Sequence, residues 1–256
     1  MTGTQQGRVV IVTGGTRGIG AVIARRFLEE GADVVVCGRS ETAEPPTGGG
    51  RSAVFVQADI RRPEEAERVV RTAVDRFGRL DVLVNNAGGA PPADSATVSP
   101  RFVAAVVTLN LLAPFYLAQP ANAVMKEQPD GGLIINIGSV AGRNPSPEAA
   151  AYSAAKAGLT VLTRALAMDF APRVRVNQVT VGLVQTELSH LSYGDEAGQE
   201  RVAATVPLGR MATPADIAAA CLLLASPGAG YVNGAELLVD GGGEFPSRYL
   251  AARRDD

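Results

Sequence analysis

Tyr152 and Lys156 lie four residues apart in the run Tyr152-Ser153-Ala154-Ala155-Lys156, a spacing that on a helix stacks both side chains on one face about one turn apart. Together they can move a proton. A free phenol titrates near pH ~10, too high for a base at neutrality, and a neighbouring ammonium favours the phenolate and brings that value down. Tyr152 would then give a proton to a carbonyl oxygen or take one from an alcohol, with Lys156 as the electrostatic tuner. The spacing alone is common on ordinary exposed helices, so its weight comes from its neighbours. Ser139 follows the apolar run Leu133 to Ile137, which puts its hydroxyl at the carboxyl edge of a parallel sheet, where open α/β folds bind ligands. Asn110, in Leu109-Asn110-Leu111-Leu112, is a polar residue inside an apolar helical stretch and is costly there unless satisfied. A buried amide that locks a helix bend is one role for it. His190 is the only histidine, so neither a histidine triad nor a multi-histidine metal centre is available, and no metal is expected.

A second constellation concerns phosphate. The run Val9-Val10-Ile11-Val12-Thr13-Gly14-Gly15-Thr16-Arg17-Gly18-Ile19-Gly20 sets glycines between an apolar strand and an amphipathic helix. Gly14 permits a tight turn, Gly18 lets backbone approach a pyrophosphate, and Gly20 lets helix and strand pack closely. The helix start adds free N–H groups and the positive end of its dipole.

Elements that would position both constellations follow from periodicity. Short Val- and Ile-rich runs at Val9 to Val12, Val34 to Cys37, Val54 to Gln57, Val82 to Asn85, Leu133 to Ile137, Val174 to Val179 and Glu236 to Val239 read as seven strands. Helical segments at Ile19 to Glu30, Glu64 to Phe77, Pro100 to Leu112, Ala113 to Lys126, Tyr152 to Phe170 and Pro214 to Ala225 alternate with them. That alternation predicts an α/β fold, a Rossmann-type doubly wound parallel sheet flanked by helices, in one domain spanning residues 1–256. The segment Gly38 to Ser52, with Pro45, Pro46 and three consecutive glycines, is expected to be a mobile surface loop. Ser189 to Thr205 reads as a polar helical insertion, and residues 187–206 as a lid over a ligand, with His190 in it. Leu188, Leu191 and Tyr193 of the lid, with Pro91 and Pro92 of the loop Gly89 to Val98, suggest a partly apolar pocket. Met125 and Met168 are expected in the core or at a subunit contact. In the tail, Phe245 and Tyr249 are expected to dock while the end frays.

Bulk properties exclude several classes. A formal net charge of -2 with scattered basic residues gives no footprint for nucleic acid or an anionic membrane. No stretch is expected to reach transmembrane length, and no basic, hydrophobic leader opens the chain. Cys37 and Cys221 are too few and too distant for a disulfide framework or a thiolate metal site. The expected setting is a reducing cytoplasm and the expected partner a small molecule.

The spacing T-G-x-x-x-G-x-G from Thr13 to Gly20, Asn85-Asn86-Ala87-Gly88 after the fourth strand, Asp59 in Gln57-Ala58-Asp59-Ile60, and Val239-Asp240-Gly241-Gly242 together resemble the short-chain dehydrogenase/reductase family, notably its 3-oxoacyl carrier-protein reductase-like members. The resemblance implies a nicotinamide-dependent oxidoreductase acting on a carbonyl or secondary alcohol, such as a ketone or 3-oxoacyl thioester. It assigns Asn110, Ser139, Tyr152 and Lys156 to the reaction, with Asn110 holding a water that links Lys156 to solvent. It assigns Gly14, Thr16, Arg17, Gly18, Ile19, Gly20, Arg39, Asp59, Ile60, Asn86, Ala87, Gly88, Tyr152, Lys156, Gly182, Val184 and Thr186 to the cofactor, Asp59 as the adenine-contacting aspartate. Val181 stands where the family has a proline, which puts nicotinamide positioning in doubt. At the end of the second strand, Gly38-Arg39 replaces the acidic residue that would bind both ribose hydroxyls of NAD. Arg39 and Arg17 suit a 2′-phosphate instead, so NADP(H) is expected over NAD(H). A homotetramer or homodimer, paired through the helices that begin near Ala113 and Tyr152, is implied by the same resemblance. The rival reading is a catalytically silent dinucleotide-binding regulator on this fold.

Overall fold

The computed structural model describes residues 4–41, 44–187, 189, 193–246, 248 and 252. Seven strands form one sheet: β1 (Val9–Thr13), β2 (Asp33–Gly38), β3 (Val54–Gln57), β4 (Val82–Asn85), β5 (Gly132–Ser139), β6 (Val174–Val181) and β7 (Glu236–Val239). They lie in the order β3-β2-β1-β4-β5-β6-β7, every neighbouring pair parallel. The expected strands are all present. Lying wholly within the described residues are the helices α1 (Gly18–Glu29), α2 (Pro63–Phe77), α3 (Pro100–Val107), α4 (Ala113–Met125), α5 (Ala150–Asp169), α6 (Glu196–Ala203) and α7 (Pro214–Ala225).

A doubly covered sheet requires strands apolar on both faces, and β1 shows the division. Val10 and Val12 join a core with Ile23 and Phe27 of α1 and Ile217 and Leu224 of α7. Val9 and Ile11 join a second core on the other face, with Val69 and Val70 of α2, Leu117 and Met125 of α4, and Leu166 of α5. Met125 is therefore core, whereas Met168 is 75% exposed on α5.

Three expectations need correction. Residues 44–52 include an ordered hairpin: Thr47–Gly48 pairs antiparallel with Arg51–Ser52. The two glycines between the strands, at φ +58° and +74°, adopt the left-handed conformations of a tight hairpin turn. A Cβ at Gly48 would lie 2.7 Å from the Arg25 carbonyl oxygen, and Arg51 Nη1 reaches Asp33 Oδ1 at 2.8 Å, so the hairpin is clipped against α1. The glycines that argued against a helix are what allow this packing. Secondly, α3 and α4 join through a π-helical turn, Thr108–Leu112, into a 26-residue run whose most apolar 18-residue stretch has a mean hydropathy of 1.7, long and apolar enough by composition to cross a membrane. Here its apolar face is core: Val106, Leu117, Ala121 and Met125 are buried. Thirdly, among the described residues of the polar insertion α6 covers 196–203 and not the whole of 189–205, its start capped by Asp195 Oδ1 accepting from the Gly198 N–H at 2.9 Å. His190, Leu188, Leu191 and Tyr249 lie outside the described residues. Phe245 docks through its backbone, its N–H donating to the Thr205 carbonyl at 2.8 Å.

The carboxyl ends of β1 and β4 are tied together by a residue the sequence reading passed over. Thr13, buried at the end of β1, accepts on Oγ1 from the N–H groups of Asn86 and Ala87, both at 3.0 Å. Asn86 Nδ2 donates back to the Thr13 carbonyl at 2.9 Å. Replacing Thr13 with Val keeps the shape but strands the Ala87 N–H, at about 1–3 kcal/mol for a buried unsatisfied group, while the Asn86 N–H keeps the Val84 carbonyl at 3.0 Å. We expect Thr13→Val to lose about 2 kcal/mol in urea unfolding and Thr13→Ser to lose clearly less; equal losses would mean that the methyl group, not the hydroxyl, carries the effect.

Candidate active site

A cleft of about 580 Å³ opens at the carboxyl edge of the sheet, where the strand order reverses between β1 and β4. Gly14, Thr16, Arg17, Gly18, Ile19, Gly20, Arg39, Asp59, Ile60, Asn86, Ala87, Gly88 and Thr186 all line it. Thus most residues that the resemblance assigned to a cofactor share one concave surface. Tyr152, Lys156, Gly182 and Val184 are not among its walls. A Cβ on Gly182 would lie 2.7 Å from Asp240 Cα, so this glycine packs on the end of β7, and Val184 is buried in a bridge to Ala212.

The turn between β1 and α1 fits a phosphate. Gly20 has no room for a side chain, since a Cβ would stand 2.3 Å from the Gly14 carbonyl oxygen and 2.5 Å from Asn86 Nδ2. A Cβ on Gly18 would meet only Glu187 Oε1, at 3.7 Å, so the backbone here faces open cleft. Arg17, the residue before α1, supplies no side-chain cap to the helix start. The first-turn donors are therefore without a side-chain acceptor, and they suit an anion. Among the described residues neither Arg17 nor Arg39 has a carboxylate ion-pair partner within 4.0 Å.

Further along, Gly88 separates the reaction residues. A Cβ there would lie 2.8 Å from Asn110 Oδ1 and 3.2 Å from Lys156 Nζ. Asn110, fully buried in the π turn, accepts from the Gly89 N–H at 2.8 Å and donates to the carbonyls of Gly89, at 3.0 Å, and Val106, at 2.9 Å. The amide locks the bend and fastens it to the loop after β4. Lys156 is buried and donates to the Ile137 carbonyl at 2.7 Å; burial pulls its ammonium down to about 8. Nζ lies over the Tyr152 ring, 5.7 Å from its centroid.

Tyr152 runs against the expectation of a lowered phenol. Burial raises it, a hydrogen bond with Ser139 opposes that rise, and the nearby Tyr193 adds to it. Desolvation is the larger effect because charging a phenol inside the protein forfeits hydration that Lys156, spent on a backbone carbonyl, does not restore. Ser139 also accepts from the Ala141 N–H at 3.2 Å and so ends β5 with its hydroxyl beside Tyr152.

Sequence reasoning missed several wall residues: Cys37, Gly38, Ser40, Glu41, Ala58, Arg61, Leu109 and Glu187. Most are neighbours of residues it did find. Glu41 brings a carboxylate to the same end as Arg39, and Arg61 pairs with Asp59 two residues before it.

Residues 14–244 match the family described as enoyl-(acyl carrier protein) reductase. The chain is 39% identical to L-fucose dehydrogenase of Oryctolagus cuniculus over 94% of this chain and 86% of that protein. It is 37% identical to L-rhamnose 1-dehydrogenase (NAD(P)(+)) of Azotobacter vinelandii over 92% of this chain and 96% of that one. The solved structure of the aldohexose dehydrogenase of Thermoplasma acidophilum, in ligand-free form, superposes with a TM-score of 0.87 at 28% identity, covering 100% of this chain and 98% of that one. With the family match running through nearly the whole sheet and the cleft at its carboxyl edge, the protein belongs to the short-chain dehydrogenase/reductase family, whose members are oxidoreductases that use a nicotinamide dinucleotide.

Proposed function

We propose that the chain transfers a hydride between NADP(H) and a secondary alcohol or the matching carbonyl. The observation that carries this reading is the grouping of Tyr152, Ser139 and buried Lys156 beside a cleft whose turn suits a pyrophosphate. The bound nicotinamide supplies or accepts the hydride. Ser139 holds the substrate oxygen next to Tyr152, and Tyr152 Oη donates a proton to that oxygen in reduction and removes it in oxidation. Near neutrality Lys156 remains mostly protonated, since its value of about 8 lies above the working pH, and its charge favours the phenolate as the proton leaves. Asn110, fixed by backbone groups, holds the proton path next to Lys156 through a water.

The substrate we favour is a sugar or sugar-like polyol. Support comes from the L-fucose, L-rhamnose and aldohexose dehydrogenases that the chain resembles over nearly its full length. The 3-oxoacyl alternative keeps the same chemistry at the reacting carbon. For the coenzyme, Arg17 and Arg39 bring two guanidinium groups, neither in a carboxylate ion pair among the described residues, to the cleft wall beside Gly38, which favours a ribose 2′-phosphate. Residues 187–206 serve as the lid. Subunits pair through α4 and α5, the latter carrying the exposed apolar side chains of Val161, 66% exposed, and Met168.

Three outcomes are expected. In titrations of intrinsic NADPH fluorescence the protein should bind NADPH several-fold more tightly than NADH, and Arg39→Ala should narrow the gap; equal affinities would remove the coenzyme assignment and leave the fold untouched. Tyr152→Phe should still bind NADPH yet lose at least about 100-fold in turnover with L-fucose, L-rhamnose or any carbonyl that the wild type accepts. Equal rates in both proteins across such a panel would favour the silent regulator. Thirdly, the Lys156 value of about 8 lies below its ordinary 10.5, so between these the unfolded chain holds a proton that the folded chain has lost, and stability rises with pH. The penalty for burying the ammonium is complete below about 8 and gone above about 10.5. Unfolding free energies of wild type and Lys156→Met should therefore diverge in favour of wild type by about 3 kcal/mol across that window; a pH-independent difference would contradict the burial.

A further inference from the structure

Ser139 is held by more than the end of β5. A 3₁₀ turn, Val140–Gly142, follows it at once, capped at its start by the Ser139 hydroxyl and closed by the Arg143 N–H donating to the Val140 carbonyl at 2.9 Å. Gly142 rests on α5, since a Cβ there would lie 2.9 Å from the Lys156 carbonyl carbon and from the Ala157 nitrogen. Arg143 then reaches from the turn to the first residue of β7: its Nε donates to Glu236 Oε1 at 3.1 Å and its Nη2 to Oε2 at 3.0 Å. Glu236 is buried, its side chain 7% exposed, and Oε1 also accepts from Thr180 Oγ1 of β6 at 2.8 Å. Burial pushes the Glu236 carboxyl up, but hydrogen bonds from Arg143 and Thr180 and the charges of Arg143 and Arg164 outweigh it and hold the group below its usual value.

From Thr180 the hydrogen bonds run inward to the helix that carries the proton-transfer pair. Gln178 Nε2 donates to Thr180 Oγ1 at 2.7 Å and to Thr160 Oγ1 at 2.8 Å, and Thr160 Oγ1 donates to the Lys156 carbonyl at 3.3 Å. Because the Gln178 amide gives a hydrogen to each hydroxyl, Thr180 is left to donate to Glu236 and Thr160 to α5, so the chain has one sense. A single carboxylate thus braces the turn behind Ser139 and, through three side chains, the stretch of α5 at Lys156. The Gly142 contact limits how near the turn comes to α5, whereas two parallel N–H···O bonds of a guanidinium fork also restrain its orientation. We propose that Arg143 and Glu236 are positioning residues for the proton transfer, their fork setting where the Ser139 hydroxyl stands relative to Tyr152. This rests on the reading under Proposed function, in which Ser139 holds the substrate oxygen.

The test measures turnover and coenzyme binding on the whole protein, with whichever of L-fucose, L-rhamnose or the carbonyls wild type uses best. Arg143→Met, at a side chain 51% exposed, should lower kcat about tenfold while KM changes less than about threefold and NADPH affinity less than about twofold. Glu236→Gln, which keeps the shape and the Thr180 bond, should lose kcat in the same way, and the double variant about as much as the larger single loss, because the two act as a unit. In a Ser139→Ala background Arg143→Met should cost less than about twofold, since the hydroxyl it positions is gone. Arg143→Lys keeps a charge beside Glu236 should its loss unfold the sheet edge, and it should show the same dependence on Ser139. Wild-type kcat in Arg143→Met overturns the inference. So does a tenfold loss that persists without the Ser139 hydroxyl, or a parallel fall in NADPH affinity, either of which would make the fork a general staple between the turn and β7. Wild type that turned over nothing in the panel would overturn the proposed function itself, a failure distinct from an active wild type indifferent to Arg143.

Discussion

The site depends on the joint between the carboxyl ends of β1 and β4. A parallel sheet separates its strands to either side of a switch point, and the crevice that opens there is usable only if the two diverging chains keep a fixed distance. Thr13 and Asn86 set that distance through hydrogen bonds running in both directions. The glycine turn stands on one side of the joint and the Asn86-Ala87-Gly88 segment on the other, with Gly20 packed closely enough to touch both. Everything that lines the inner cleft is thereby referred to one rigid point.

Beyond that joint, burial and charge contend for the proton-transfer pair. The ammonium of Lys156 is desolvated and spends a donor on the Ile137 carbonyl, and the phenol of Tyr152 is desolvated in turn. Both neutral forms gain from the surroundings. The two proton affinities, close in water at 10.0 and 10.5, are thereby drawn apart, the phenol upward and the ammonium down to about 8, so that near neutral pH the phenol holds its proton. Ser139 works against this tendency, its hydrogen bond easing the phenol toward its charged form.

How much of this was legible beforehand follows the range of the interactions involved. The seven strands and their flanking helices were readable because period and apolar runs are local signals, and the glycine turn because its spacing is. Tyr152 and Lys156 could be paired from one helical turn. Thr13 escaped notice because its role lies in bonds to residues 73 and 74 positions away. The hairpin at residues 47–52 was misread because glycine propensity tells against helix without revealing that a neighbouring helix leaves no room for side chains. For Tyr152 the sign was missed because burial is a property of the whole fold, and a sequence exposes only the neighbouring charge.

The π turn at Asn110 has a geometric consequence for the helices on either side of it. Inserting one residue into a single turn advances the angular phase of everything downstream by about 100°. The rod from residue 100 to residue 125 therefore aims two different stripes: α3 leans on α5, while α4 leans on α2. A regular helix of the same sequence would send one of those stripes into solvent. Asn110 sits at the dislocation with its amide satisfied by Val106 and Gly89, so the defect that lets one rod serve two neighbours is also what anchors the loop after β4 behind Gly88.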